Sequence, residues 1–207
     1  IHNNKDWKYI LWNDNSIKLF LIEKYPNYYY FYNKIKNIDI KRWFAKFIIL
    51  YDYGGVYIDN DFSCYKNLNE ILHNYNDKKV LISSIPYLKS FEKFIISNKK
   101  KLKDDVILLS DSIIFSERKH PFIIKVINII HNFIIKKFKL TGIYDTSYYL
   151  SKIYNDSIDE SIEILHHFYF IPCFGFDSRC KAISKTIGEK KNFLLKNKNN
   201  LNDKIFY

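Results

Sequence analysis

Methionine is absent from the 207 residues, cysteine occurs three times, and no apolar run reaches 18 residues. The last absence leaves nothing long enough to cross a bilayer as a helix. Cys64, Cys173 and Cys180 are odd in number and form no C-x-x-C pair. That excludes a disulfide framework and speaks against a structural zinc site; buried thiols are expected, with a single disulfide as the alternative. With no methionine and a start at Ile1, an N-terminal piece is expected to have been removed. Membrane association is expected only through such a missing segment. Acidic residues are also short, 22 against 33 Lys and Arg, for a formal charge of +11. A surplus of that size suits nucleic acid, an anionic membrane surface or any anionic substrate. Ile, Lys, Asn, Tyr and Phe, all with AT-rich codons, are over-represented, so part of the surplus is codon drift and charge alone does not choose the partner. A 47% hydrophobic and 18% aromatic chain of this length folds as one domain with a sizeable core, or as one domain with a tail.

Glycine is scarce too, at five residues, and two of the five are adjacent. The apolar helical run Phe47-Ile48-Ile49-Leu50 ends at Gly54-Gly55, and Val56-Tyr57-Ile58 then leads into Asp59-Asn60-Asp61. In a strand of period two, Asp59 and Asp61 share a face with Asn60 opposite. Two carboxylates at a strand end repel unless a cation neutralises them. A hard divalent ion that bridges protein carboxylates to substrate phosphates is such a cation. Gly54-Gly55 permits positive φ and close approach of backbone to a ligand. The alternative is a buried strand with a solvated acidic turn.

The run Leu50, Tyr51, Gly54, Gly55, Tyr57, Asp59, Asp61 resembles the signature of DXD glycosyltransferases of the GT-A fold. It is closest to the family 32 type, the initiating and sphingolipid mannosyltransferases of yeast, with the clostridial glucosylating toxin core a more distant relation. The resemblance implies an α/β fold, a GT-A-like, Rossmann-type mixed sheet flanked by helices in a single domain over residues 1–188, with 189–207 a basic tail or peripheral helix. It implies a Mn²⁺ (or Mg²⁺) ion and a nucleotide-diphosphate sugar donor, GDP- or UDP-linked. A glycan, lipid or protein acceptor would receive the sugar with retention of configuration, and no nucleic acid is expected. A secretory, Golgi-like location goes with the family, a cytoplasmic or viral one with an AT-rich source.

Residue by residue, the resemblance gives Asp61 direct ligation of the metal. Asp59 contacts the ribose or sugar and shares the metal through water. The family's Asp-x-x-Arg pair on the preceding helix falls, without gaps, on Trp43 and Lys46; lysine keeps the charge but loses the bidentate fork, and tryptophan keeps neither charge nor acceptor. Asp39 and Arg42, one helical turn upstream, are the alternative pair. Asp111 stands where the family usually has Asn, in a strand before Ser116, His120, Pro121 and Phe122, and is the candidate second catalytic carboxylate. The groups implied to line the donor are thus Lys46, Gly54, Gly55, Tyr57, Asp59, Ser112, Arg42 and Asp39. His120 reads as a capping or packing residue. Past Cys173 the chain has neither the His nor the Trp on which the family commonly ends.

The remaining elements read in order as follows. Ile1-His2 is the end of a first strand or part of the next segment; Trp7–Trp12 is a strand; residues 16–24 are a helix. Tyr28–Tyr32 is a buried aromatic cluster or a sugar-stacking platform. Helices follow over 39–53, 121–139 and 144–154, with strands at Val80–Ile82, Val106–Ser116 and Ile162–Leu165; Pro86 closes the first of these strands. Residues 89–105 are a basic loop, Thr141-Gly142 opens a helix on the acceptor side, and Phe168–Pro172 ends the late strand. Two other functions remain open. One is a degenerate homologue that binds sugar nucleotide or glycan without turnover. The other is a haloacid dehalogenase-type phosphohydrolase with Asp59 as nucleophile and Asp61 as acid/base.

Overall fold

Capping and apolar spacing set the helices of the computed structural model, which describes residues 4–59, 67–85, 107–135, 143–156 and 158–166. Helix α1 (Asp14–Lys24) starts at a capping box. The Asn13 side chain accepts from the Ser16 N–H, and the Ser16 hydroxyl accepts from the Asn13 N–H, each at 2.9 Å, so orphan donors are satisfied on both sides. Helix α2 (Pro26–Lys34) carries proline in its first turn, where no intrahelical N–H is needed. Helix α3 (Ile38–Tyr53) is capped by Asn37, which accepts from the Asp39 and Ile40 N–H groups.

Strand β1 (Gly55–Ile58) follows at once, then α4 (Leu68–Asn74), β2 (Val80–Ser84), β3 (Leu109–Ser116), α5 (Pro121–Ile135), α6 (Ile143–Asp156) and β4 (Ile162–Leu165). The described strands form one mixed sheet in the order β1-β3-β2-β4. β3 is antiparallel to both β1 and β2, while β2 and β4 run parallel. This is the mixed α/β sheet flanked by helices that the resemblance implies.

Alternation along the strands splits the apolar side chains between two faces. Val80, Ile82, Leu109 and Ile114 pack with Trp43, Phe44, Phe47 and Ile48 of α3 and with Ile123, Val126 and Ile127 of α5 in the main core. Leu81, Ile113, Phe115 and Leu165 meet Leu68 and Ile71 of α4 in a smaller cluster on the other face. Tyr57 packs on the α3 side, and Val56 and Ile58 on the α4 side. The aromatic run of α2 belongs to the main core: Tyr32 is buried, and Tyr28 stands edge-on to Phe44 at 5.5 Å. Tyr28, Tyr29 and Tyr32 are therefore packing residues, while Tyr30 stands 58% exposed.

One expected strand is not there. Residues 8–13 join no ladder, and Tyr9, Ile10 and Leu11 are 64%, 45% and 65% exposed. Trp7 is pinned by a 2.9 Å hydrogen bond from Nε1 to Asn69 Oδ1, and Trp12 packs against Phe20 and Tyr53 at 5.4 and 5.6 Å. Anchored at both ends on side chains, the segment takes its order from the tryptophans and not from strand pairing. Ile1-His2, Pro86, the 89–105 stretch, Thr141-Gly142, Phe168–Pro172, the three cysteines and the 189–207 tail lie outside the described residues.

Candidate active site

Helix α3 delivers the chain to β1 through two glycines, both at positive φ (68° for Gly54, 89° for Gly55). Gly54 ends the helix by donating its N–H to the Leu50 carbonyl. A Cβ at Gly54 would lie 2.8 Å from the Arg118 nitrogen and 3.0 Å from the Ser116 oxygen, whereas one at Gly55 would meet nothing within 4 Å. The close approach at Gly54 is thus to the turn between β3 and α5. That turn returns the contact, because the Lys119 N–H donates to the Tyr51 carbonyl at 2.8 Å and helps close the end of α3.

At the other end of β1 the predicted residues gather. The Asp59 N–H donates to the Ser112 carbonyl at 2.9 Å, extending the β1–β3 ladder beyond Ile58. Tyr57, two residues earlier and so on the same face, donates its hydroxyl to Asp59 Oδ1 at 2.7 Å. Burial, then the hydrogen bond to Asp59, push the Tyr57 phenol well above its ordinary pKa; the group stays protonated and acts as a fixed donor. From α3, the ammonium of Lys46 lies 4.6 Å from the centre of the Tyr57 ring. It donates to the Asp111 carbonyl at 2.6 Å and to Asp111 Oδ2 at 2.8 Å. Asp111 sits where the β2–β3 register slips between Ile82 and Ser84. Irregularities of this kind re-aim side chains.

Asp39 and Arg42, 50% and 71% exposed, stand one turn earlier on α3 with 3.7 Å between their charges. The Arg42 charge opposes the upward push on the Tyr57 phenol, which places it beside the same site. Trp43 is 1% exposed and edge-on to Phe47 at 6.0 Å. Its Nε1 is buried with no hydrogen-bond partner. So Asp59, Asp111, Ser112, Lys46 and Tyr57 come together with Arg42 nearby, while Trp43 turns into the core and Gly54-Gly55 shape the far end of the strand. Asp61 and Asn60 lie outside the described residues. Among those residues no group of three or more metal-ligating side chains forms. The donor set is carboxylate oxygen, which fits a hard divalent cation and not a soft one.

A second polar cluster escaped the sequence reading. Asp52, 4% exposed near the end of α3, accepts from Lys24 at 2.7 Å, Lys119 at 2.8 Å and Tyr25 at 3.0 Å. Burial alone would raise its pKa, but these three donors overcome that and hold the carboxyl well below the usual range. Cations at a helix C-terminus also meet the negative end of its dipole. Only the i, i+1 position beside Tyr51 and Tyr53 was visible in the sequence, and nothing there announced partners so far along the chain. His120 has the capping role expected of it. Its Nδ1 accepts from the Phe122 N–H at 3.2 Å, so Nε2 carries the hydrogen toward Ser161 Oγ at 3.0 Å. Ser161 in turn donates to Asp159 at 2.6 Å. With the imidazole donating, Ser161 is braced rather than activated as a nucleophile.

Residues 1–78 match a family model described as the glycosyltransferase sugar-binding region containing the DXD motif, which bears out the family-level resemblance over that part of the chain. Among curated relatives, inositol phosphoceramide mannosyltransferase 3 of Schizosaccharomyces pombe is 40% identical over 73 residues, 33% of this chain and 19% of that protein. Inositol phosphoceramide mannosyltransferase 1 of the same yeast is 39% identical over 70 residues, 32% of this chain and 21% of the relative. Mannosyl phosphorylinositol ceramide synthase SUR1 of Saccharomyces cerevisiae is 42% identical over 74 residues, 32% and 18% respectively. The chain spans about a fifth of the length of these relatives (19%, 21% and 18%). No solved structure matches it.

Proposed function

We propose that this chain, whose first 78 residues match the DXD sugar-binding family, transfers a hexose from a GDP- or UDP-sugar to an acceptor hydroxyl with retention of configuration. The observation that carries the reading is the Asp59 carboxylate, held at a strand end by Tyr57 at 2.7 Å and, through its backbone, by Ser112 at 2.9 Å. A carboxylate fixed by one hydroxyl on a backbone pinned by another bond, with a second acid, Asp111, nearby, is preorganised for a cation and a pyrophosphate. Asp59 and Asp61 would hold Mn²⁺ or Mg²⁺. Such an ion, when bound, neutralises charge growing on the departing diphosphate. Because Lys46 is committed to Asp111, the positive contact falls to Arg42, which is 71% exposed and held only by a long, solvated pair with Asp39 at 3.7 Å. Asp39 beside it supplies an acceptor for sugar hydroxyls. Relatives named as inositol phosphoceramide mannosyltransferases make mannose the first donor sugar to test and an inositol-phosphate lipid the first acceptor.

Calorimetric titration of GDP- and UDP-sugars with and without Mn²⁺, followed by assay of sugar release, tests the reading. Metal-dependent donor binding with transfer or hydrolysis is expected, and Arg42→Gln is expected to weaken nucleotide affinity about tenfold, as for loss of one charged hydrogen bond. Absence of any nucleotide binding sinks the proposal. A second reading, a homologue that binds donor without turnover, is favoured by Trp43, which puts a core indole where the family has a sugar-holding carboxylate. Tight metal-dependent binding with no turnover across an acceptor screen would select it.

A further inference from the structure

From the way the site is wired, we infer that Lys46 is a positioning residue for the Asp59 carboxylate and not a ligand for the donor. The inference rests on the metal and diphosphate reading above. Lysine has three N–H donors. Two of those of Lys46 go to the Asp111 carbonyl and carboxylate, at 2.6 and 2.8 Å, and the side chain is 6% exposed. The third faces little solvent, because the ammonium also lies 4.6 Å from the centre of the Tyr57 ring, so a phosphate could bind it fully only by displacing Asp111, itself 18% exposed, from its counter-charge. Breaking a buried pair from one side is strongly unfavourable. In its place Lys46 touches both of the elements that hold Asp59. Its charge lies over the ring of Tyr57, 4.6 Å from the centre, and the hydroxyl of that ring fixes Asp59 Oδ1. Its bond to the Asp111 backbone steadies β3 one residue from Ser112, whose carbonyl fixes the Asp59 N–H. Removing the ammonium therefore loosens the Asp59 carboxylate through Tyr57 and its backbone through Ser112.

The test compares aspartate carboxyl carbon-13 signals in the metal-free protein, the Asp59 signal being identified by its loss in Asp59→Asn. Lys46→Met and Tyr57→Phe are both expected to displace the Asp59 signal and leave those of Asp14 and Asp52 in place, while Lys46→Arg restores it toward the wild-type position. Mn²⁺ affinity falls about 10–100-fold in Lys46→Met, the usual cost of losing an outer-shell partner. An Asp59 signal unmoved by Lys46→Met overturns the inference, as does displacement of every aspartate signal, which would mean general loosening. Loss of nucleotide affinity with Asp59 undisturbed overturns it too, and makes Lys46 a donor contact. Should Lys46→Met fail to fold, Lys46→Gln takes its place. A wild-type chain that takes up neither Mn²⁺ nor sugar nucleotide refutes the transferase reading, and the carbon-13 comparison then decides the inference alone.

Discussion

Replacing Gly54 and Gly55 one at a time by alanine separates two reasons why a signature glycine is needed. Gly54 sits at φ 68° and ψ −159°, a region that L side chains hardly populate, and holding a residue there costs about 1–3 kcal/mol. Its added methyl would also stand 2.8 Å from the Arg118 nitrogen and 3.0 Å from the Ser116 oxygen. Both are backbone atoms that cannot swing aside, so overpacking adds about another 1–3 kcal/mol. Gly55, at φ 89° with nothing within 4 Å of its Cβ, bears only conformational strain, about 1–2 kcal/mol for a left-handed residue. Gly54→Ala is therefore expected to lose about 2–6 kcal/mol, a large part of the stability of a small domain, and Gly55→Ala about 1–2 kcal/mol. Urea unfolding midpoints at unchanged slope measure both. The reasoning fails if the two variants are equally stable, or if Gly54→Ala keeps wild-type stability and loses only donor affinity. In the latter case the glycine makes room for a ligand rather than for the β3–α5 turn.

Asp61→Asn is expected to abolish Mn²⁺-dependent donor binding while the fold stands, since relieving like-charge repulsion rarely destabilises; retained Mn²⁺-dependent affinity assigns the metal elsewhere. Asp52 stays ionised in the fold at pH values where the unfolded chain, with its carboxyl near the ordinary aspartate value of 3.8, takes up a proton. Its contribution to stability is thus present above about that pH and lost as pH falls below it; Asp52→Asn should flatten the acid limb of Tm against pH, and an unchanged limb refutes the assignment. Burial pushes the His120 imidazole below the ordinary histidine value of 6.5, with Asp159 and Glu117 opposing. The fold keeps it neutral, so stability held above 6.5 declines as pH drops and the unfolded chain protonates; His120→Asn, which retains an N-cap acceptor, should remove that decline from thermal melts. Trp43→Asp, which restores the family's carboxylate in sequence, should unfold the chain by about 3–5 kcal/mol or more, through loss of a buried aromatic and burial of an unpaired charge. A stable Trp43→Asp variant in chemical denaturation would mean that this face of α3 does not pack as described.

Legibility followed the range of the interactions. Helices α1 and α3, strand β1 and the direction of the chain into Asp59 were readable because caps, periodicity and paired glycines act within a few residues. Trp7–Trp12 misled for the complementary reason. Aromatic and β-branched residues mark a surface fit for a sheet, but a strand exists only where a partner edge receives it. Here Trp7 found Asn69 and Trp12 found Phe20 and Tyr53. Asp52 was unreadable altogether, since its partners Lys24 and Lys119 lie 28 and 67 positions away and no local rule reports a contact of that span.

The same limit changes how the departures from the family signature are to be weighed. In sequence, tryptophan for aspartate at 43, lysine for arginine at 46 and aspartate for asparagine at 111 count as three separate erosions of a donor site. In space two of them are one feature, because Lys46 and Asp111 face each other at 2.8 Å. An asparagine at 111 would offer that ammonium only a neutral acceptor, and the exchange to aspartate gives it a counter-charge at low exposure. Lys46 and Asp111 therefore count as one charge-balanced contact near Asp59, and Trp43, whose indole nitrogen is buried without a hydrogen-bond partner, is the departure that no neighbour offsets.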